Sequence, residues 1–188
     1  MRDFVAALLA ILHDRQTPYA IGGSVASSFY GEMRATQDID LSIQLDEADI
    51  AALVTACEAR TWYISANEVA RAAQTGGAFS VNDGFWKADF FVVKNDPFAA
   101  TALARRQERI LSMTGQTAWL LSPEDVIVHK LRWSEGKPLD KHLRDITAIL
   151  SNLYATLDLA YVTHWAAEFS AGDLWAGLLD AYRGKDDQ

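Results

Sequence analysis

The chain has 188 residues, half of them hydrophobic, and carries 25 acids against 17 Lys and Arg for a formal net charge of −8. That length suits one domain or two small ones with about 70% of the unfolded surface buried, and that charge excludes an unaided, nonspecific nucleic-acid binder, because phosphate contacts need positive surface. No run approaches the roughly 20 apolar residues that span a bilayer, and MRDFVAALLAILHDRQ lacks a small-residue cleavage site, so a soluble, cytoplasmic protein without membrane contact is the expectation.

In chain order, Val5, Leu8, Leu9 and Leu12 at helical spacing predict a helix over 2–15, closed by the breaker Thr17-Pro18. YAIGG reads as a short buried strand running into a glycine turn, and SVASSFYGEM as a helix opened by Ser24. From Asp38 to Leu45 the chain alternates, with Ile39, Leu41, Ile43 and Leu45 on one side and Asp38, Asp40, Ser42 and Gln44 on the other: a half-buried strand. Asp46 caps a helix to about Arg60, in which Cys57 reads as a core thiol. WYIS is a strand and ANEVARAAQTGG a short helix. GAFSVND and KADFFVV pair across the turn Asp83-Gly84, up to the stop Asn95-Asp96-Pro97. A helix over 98–108 and two short strands, RILSMTG and TAWLLS, come next. From Pro123 onward every segment has helical periodicity, and only the last five or six residues lack structure signals. Trp165 and Trp175 fall in these amphipathic helices and read as core or interface residues.

Two carboxylates at i and i+2 on a strand share a face. At about 6 Å and an effective dielectric of 20, Asp38 and Asp40 repel by roughly 2–3 kcal/mol unless a cation lies between them. A divalent ion removes that cost, and Mg²⁺ takes a few carboxylates with phosphate oxygens and water filling its shell. Asp89 of KADFF can reach the same sheet surface from a neighbouring strand, and three carboxylates suit a metal-assisted in-line displacement at phosphorus. The turn Gly22-Gly23-Ser24 complements them: glycine lets backbone approach a phosphate, and a helix start favours an anion. The four histidines, His13, His129, His142 and His164, are scattered without ligand spacing.

These motifs resemble the nucleotidyltransferase superfamily, with its Gly-Gly-Ser turn, short helix, Asp-x-Asp strand and later third Asp. RATQDIDL, SPEDVIVHKL and KHLRDI are similar to motifs of its abortive-infection AbiE-type toxin branch. The resemblance spans residues 18 to about 150. It implies an α+β fold, with a nucleotidyltransferase-like mixed β-sheet domain flanked by helices over 1–118 and an all-helical C-terminal domain over 119–188 closing a groove over the nucleotide. It implies transfer of a nucleoside monophosphate from an NTP, ATP among them, with Mg²⁺ or Mn²⁺ and release of pyrophosphate. Carried over residue by residue, Gly22, Gly23 and Ser24 meet phosphate, and Asp38 and Asp40 hold metal. Asp89 is the third metal acid or the general base, Lys130 meets the triphosphate, and Asp145 is the last motif acid. Arg34 and Thr36 either shape the loop or hold a phosphate or a neighbouring acid. The branch implies an RNA or tRNA acceptor and a neutralising antitoxin protein. Two alternatives stand beside it: a catalytically silent nucleotide-binding or protein-interaction module, and a small-molecule nucleotidyltransferase of the aminoglycoside type, which the acidic surface favours.

Plainer readings exist for several of these residues. Lys87 shares a face with Asp89 and suits a surface ion pair. Asp145 stands four residues after Lys141, the spacing of an exposed helical pair. Lys130 lies beside Val126 and Ile127 on an apolar stripe, from which its ammonium either snorkels to water or is carried into an interdomain groove.

Overall fold

A computed structural model describes residues 1–135, 137 and 139–186. Its elements run α1 (Arg2–Asp14), β1 (Tyr19–Ile21), α2 (Gly23–Tyr30), β2 (Asp38–Ile43), α3 (Glu47–Glu58), β3 (Tyr63–Ile64), α4 (Ala66–Thr75), β4 (Ala78–Asn82), β5 (Lys87–Val92), α5 (Pro97–Ala104), β6 (Gln107–Ile110) and β7 (Thr117–Leu120). There follow α6 (Pro123–Trp133), α7 (Asp140–Leu153), a 3-10 turn (Tyr154–Thr156), α8 (Leu159–Glu168) and α9 (Gly172–Asp186). The expected α+β class holds: a mixed sheet with helices, then an all-helical C-terminal stretch. No described helix is long and apolar enough to cross a membrane. The chain divides into two units, Met1–Ser24 with Ala35–Leu121, and Val25–Arg34 with the chain from Ser122 onward.

The first unit is built on a seven-stranded sheet of order β3-β4-β5-β2-β1-β7-β6. β2 pairs antiparallel with β1 through residues 41–43 and parallel with β5 along its whole length. The alternation in DIDLSI and KADFFV sends Ile39, Leu41, Ile43, Ala88, Phe90 and Val92 to one face, where they are buried together with Phe79 and Val81 of β4. Ser42 departs from the expected polar face and is itself buried. Phe4, Val5, Leu8, Leu9 and Leu12 form the buried stripe of α1. Between β4 and β5 the Asp83 carboxylate accepts from the amides of Phe85 (2.9 Å) and Trp86 (2.8 Å), and Gly84 takes φ +96°, which is why the turn needs Asp-Gly.

One boundary differs from the sequence expectation. α5 stops at Ala104 and β6 begins at Gln107, where a helix over 98–108 and a strand over 109–115 were expected. Arg105 is the C-cap of α5, and beyond it Arg106 Nη1 donates to the Leu103 carbonyl (2.8 Å) while its guanidinium lies 4.8 Å from the centre of the Trp119 ring on β7.

In the second unit Ser122 and Asp158 cap α6 and α8, their side chains accepting from Asp125 N (3.2 Å) and Tyr161 N (2.9 Å). Pro123 at the first position of α6 has no N–H to leave unsatisfied. Val126, Ile127, Leu131, Ile146, Ile149 and Leu150 form the core with Val162, Ala166 and Trp175. Tyr161 donates to Asp125 Oδ1 (2.6 Å), and Asp158 N to Glu124 Oε1 (3.1 Å), so two acids of α6 are spent on α8. Residues 25–34, expected within the 1–118 domain, group with these helices. Asn152 donates to the carbonyls of Tyr30 (3.1 Å) and Gly31 (3.3 Å), and a Cβ at Gly31 would stand 3.0 Å from that of Ala148. α9 continues to Asp186, through part of the stretch expected to lack structure; residues 187–188 of that stretch lie outside the described residues.

Candidate active site

The polar face of the sheet in the first unit gathers the acids. In the parallel ladder Asp40 stands opposite Asp89 and Asp38 opposite Lys87, while β4 sets Ser80 opposite Asp89 and Asn82 opposite Lys87. The face therefore carries two rows, Ser80–Asp89–Asp40 and Asn82–Lys87–Asp38. Each acid has a different support. Thr36 Oγ1 donates to Asp38 Oδ1 (2.6 Å), so the loop threonine orients the first acid of the strand. Asp40 lies over the glycine turn: Gly22 N donates to the Asp40 carbonyl (2.8 Å), and a Cβ built on Gly23 would fall 1.7 Å from Asp40 Oδ2. Gly23 also has φ +53°, a conformation that side-chain-bearing residues avoid. Ser24 follows it in the first turn of α2.

Asp89 is engaged through both of its oxygens. Its Oδ1 accepts from Ser80 Oγ (2.5 Å) and its Oδ2 meets Lys87 Nζ (2.7 Å). The hydrogen bond to Asp89 raises the Lys87 pKa, helped by the charges of Asp89, Asp38 and Asp40 and opposed by burial. Three carboxylates on one face are the donor set a hard cation such as Mg²⁺ prefers. Yet among the described residues no three His, Cys, Asp or Glu side chains converge as a ready-made metal cage. The donors fit the ion in chemistry, and Lys87 supplies positive charge beside Asp89.

The remaining site candidates meet in the second unit. Asp145 Oδ2 accepts from Lys130 Nζ (2.6 Å), and Arg34 approaches the same carboxylate through Nε to Oδ1 (3.3 Å) and Nη2 to Oδ2 (3.4 Å). The Lys130 and Asp145 side chains are each 4% exposed. Both plain readings of these residues give way: Lys130 does not snorkel to water, and Asp145 pairs with Lys130 and Arg34 in place of Lys141. The acid of SPEDV has a local role too, since buried Asp125 accepts from Ser122 Oγ (2.7 Å).

Among solved structures, ANT(2″)-Ia in complex with adenylyl-2″-tobramycin aligns over 90% of this chain and 96% of its own, with a TM-score of 0.63 at 17% identity. An antigenic nucleotidyltransferase-like protein from Paracoccidioides brasiliensis aligns over 93% of this chain and 90% of its own, with a TM-score of 0.53 at 20% identity. The chain has the nucleotidyltransferase fold. No protein-family model matches it, and no curated protein sequence does.

On that nucleotidyltransferase fold, sequence reasoning missed Ser80, whose signal was the polar alternation of Ser80 and Asn82 against Phe79 and Val81. It gave Lys87 only a surface ion pair. Cys57 is buried, and that burial pushes its thiol up to about 11, consistent with an inert core residue.

Proposed function

We propose that this protein is a divalent-metal-dependent nucleotidyltransferase that moves a nucleoside monophosphate from an NTP to a hydroxyl of a small polycationic acceptor, releasing pyrophosphate. The observation that carries this reading is the acid face: Asp38, Asp40 and Asp89 on two register-paired strands, with Asp40 seated on a glycine that has no room for a side chain. Asp38 and Asp40 would hold Mg²⁺ or Mn²⁺, with Asp89 as third ligand or as base. When bound, the ion would neutralise the charge that grows on the α-phosphate and on the departing pyrophosphate. The turn at Gly22, Gly23 and Ser24 offers backbone and a helix start to the phosphate tail. The acceptor oxygen forms its bond to the α-phosphorus as the bond to the bridging oxygen breaks, and its proton passes to a carboxylate of the face. Placement and charge neutralisation supply most of the rate.

The acceptor class follows from charge. A net charge of −8 attracts polycations and repels long nucleic acid, and the ANT(2″)-Ia structure holds an adenylylated aminoglycoside. The test is label transfer from each α-labelled NTP, with Mg²⁺, onto aminoglycosides, total RNA and the protein itself. Label on an aminoglycoside, lost in Asp40→Asn with an unchanged circular dichroism spectrum, is the expected result. Label on RNA alone would replace this acceptor with that of the AbiE-type toxin reading and its antitoxin. Transfer to nothing would overturn the enzyme reading in favour of a silent module.

A further inference from the structure

We propose that Lys87 is a built-in counter-ion of the acid face, and that a divalent cation binds there by displacing its ammonium from Asp89. The inference rests on the metal-dependent reading above and adds a residue to it.

Lys87 is placed to feel the whole face. Its Nζ is 2.7 Å from Asp89 Oδ2, and its backbone stands opposite Asp38 in the ladder, one row from Asp40. Without positive charge, three carboxylates on two adjacent strands would repel one another. An ammonium satisfies that need with a single charge and a few directional N–H bonds, whereas an octahedral dication gathers oxygens from several carboxylates at once. Two of the acids have hydrogen-bonded supports apart from Lys87, and the third lies against the glycine turn. Ser80 Oγ holds the other oxygen of Asp89 at 2.5 Å, Thr36 holds Asp38 at 2.6 Å, and Asp40 rests on Gly23. Lys87 is the movable partner: its side chain is 49% exposed on a flexible four-carbon stem, against 20% for Asp89, so the ammonium can swing into water when a stronger cation arrives.

The experiment titrates the full-length protein with Mn²⁺ at fixed pH and ionic strength, reading free Mn²⁺ by electron paramagnetic resonance. Wild type, Lys87→Met, Lys87→Arg and Asp40→Asn are compared. Removing a unit charge beside a dication should tighten binding about tenfold in Lys87→Met, while Lys87→Arg binds no more tightly than wild type and Asp40→Asn loses binding. Thermal melts supply a second readout: Lys87→Met should melt lower than wild type in chelator and gain more from added Mg²⁺. A third needs no variant, since added Mg²⁺ should raise the acetylation rate of the wild-type Lys87 amine, read by mass spectrometry. If wild type binds Mn²⁺ but Lys87→Met binds it no better and Mg²⁺ leaves Lys87 acetylation unchanged, the counter-ion role is wrong and the metal reading stands. If neither wild type nor Lys87→Met takes up Mn²⁺ even with ATP present, the metal reading fails and the counter-ion proposal with it.

Discussion

Gly23 and Asp40 are matched at the level of single atoms. A methyl group at position 23 would overlap Asp40 Oδ2 at 1.7 Å and would sit on a backbone with φ +53°. Gly23→Ala should therefore cost on the order of 1–3 kcal/mol and, by pushing the carboxylate aside, weaken Mn²⁺ binding nearly as far as Asp40→Asn does. Melting curves and metal titration check the two effects separately, and a stable variant with intact metal binding would break the link. His142 makes a different prediction. Burial depresses its pKa, with the charges of Lys130 and Lys141 adding to the effect and that of Asp145 opposing it. Ser134 gives its hydroxyl proton to the Lys130 carbonyl (2.7 Å), so at 3.1 Å the imidazole Nδ1–H donates to Ser134 Oγ. The unfolded chain takes up the proton near pH 6.5, before the folded one does, so acid favours unfolding. Melting temperature should be level between about pH 7 and 8 and fall as pH drops below about 6.5, and His142→Gln should flatten that acid-side slope.

Between elements, the decisive link in the second unit is the pair that ties α6 to α7. Asp145→Asn leaves Lys130 charged in an enclosed site, and breaking such a pair from one side costs about 3–5 kcal/mol. The double variant Lys130→Met with Asp145→Leu should cost clearly less than the two single changes summed, as denaturant melts would report. ATP titration of the same variants reads the triphosphate role that the resemblance assigns to Lys130. This pair was not legible in the chain. Lys130 and Asp145 become partners only when two helices pack, while local spacing offered Lys141; Arg34 joins them across 111 positions. The acid face was legible, because a period of two in DIDLSI and KADFFV sorts acids from core residues without any tertiary knowledge. Register was not, since it depends on how β4 turns into β5, and so Ser80 went unnoticed. The end of α5 was hidden for a similar reason: ARRQERIL has no clear period, and a ring on β7 decides where Arg106 goes.

For the molecule as a whole, the surplus of acid and the proposed polycationic acceptor together predict a salt-sensitive reaction. Screening shortens from about 10 Å at 0.1 M to about 3 Å at 1 M, so KM for a polycationic acceptor should rise several-fold across that range with kcat little changed. A steady-state assay at increasing KCl tests this, and a flat response would argue for an uncharged acceptor. The strand carrying Asp38 and Asp40 is bonded to β5 along its whole length, to β1 through residues 41–43, and to the glycine turn through the Asp40 carbonyl. Its peptide groups should be among the last to trade hydrogen for deuterium. Chemistry on this surface would then proceed as work on an anvil, with the bench unmoving and only the tips of a few side chains swinging through the stroke.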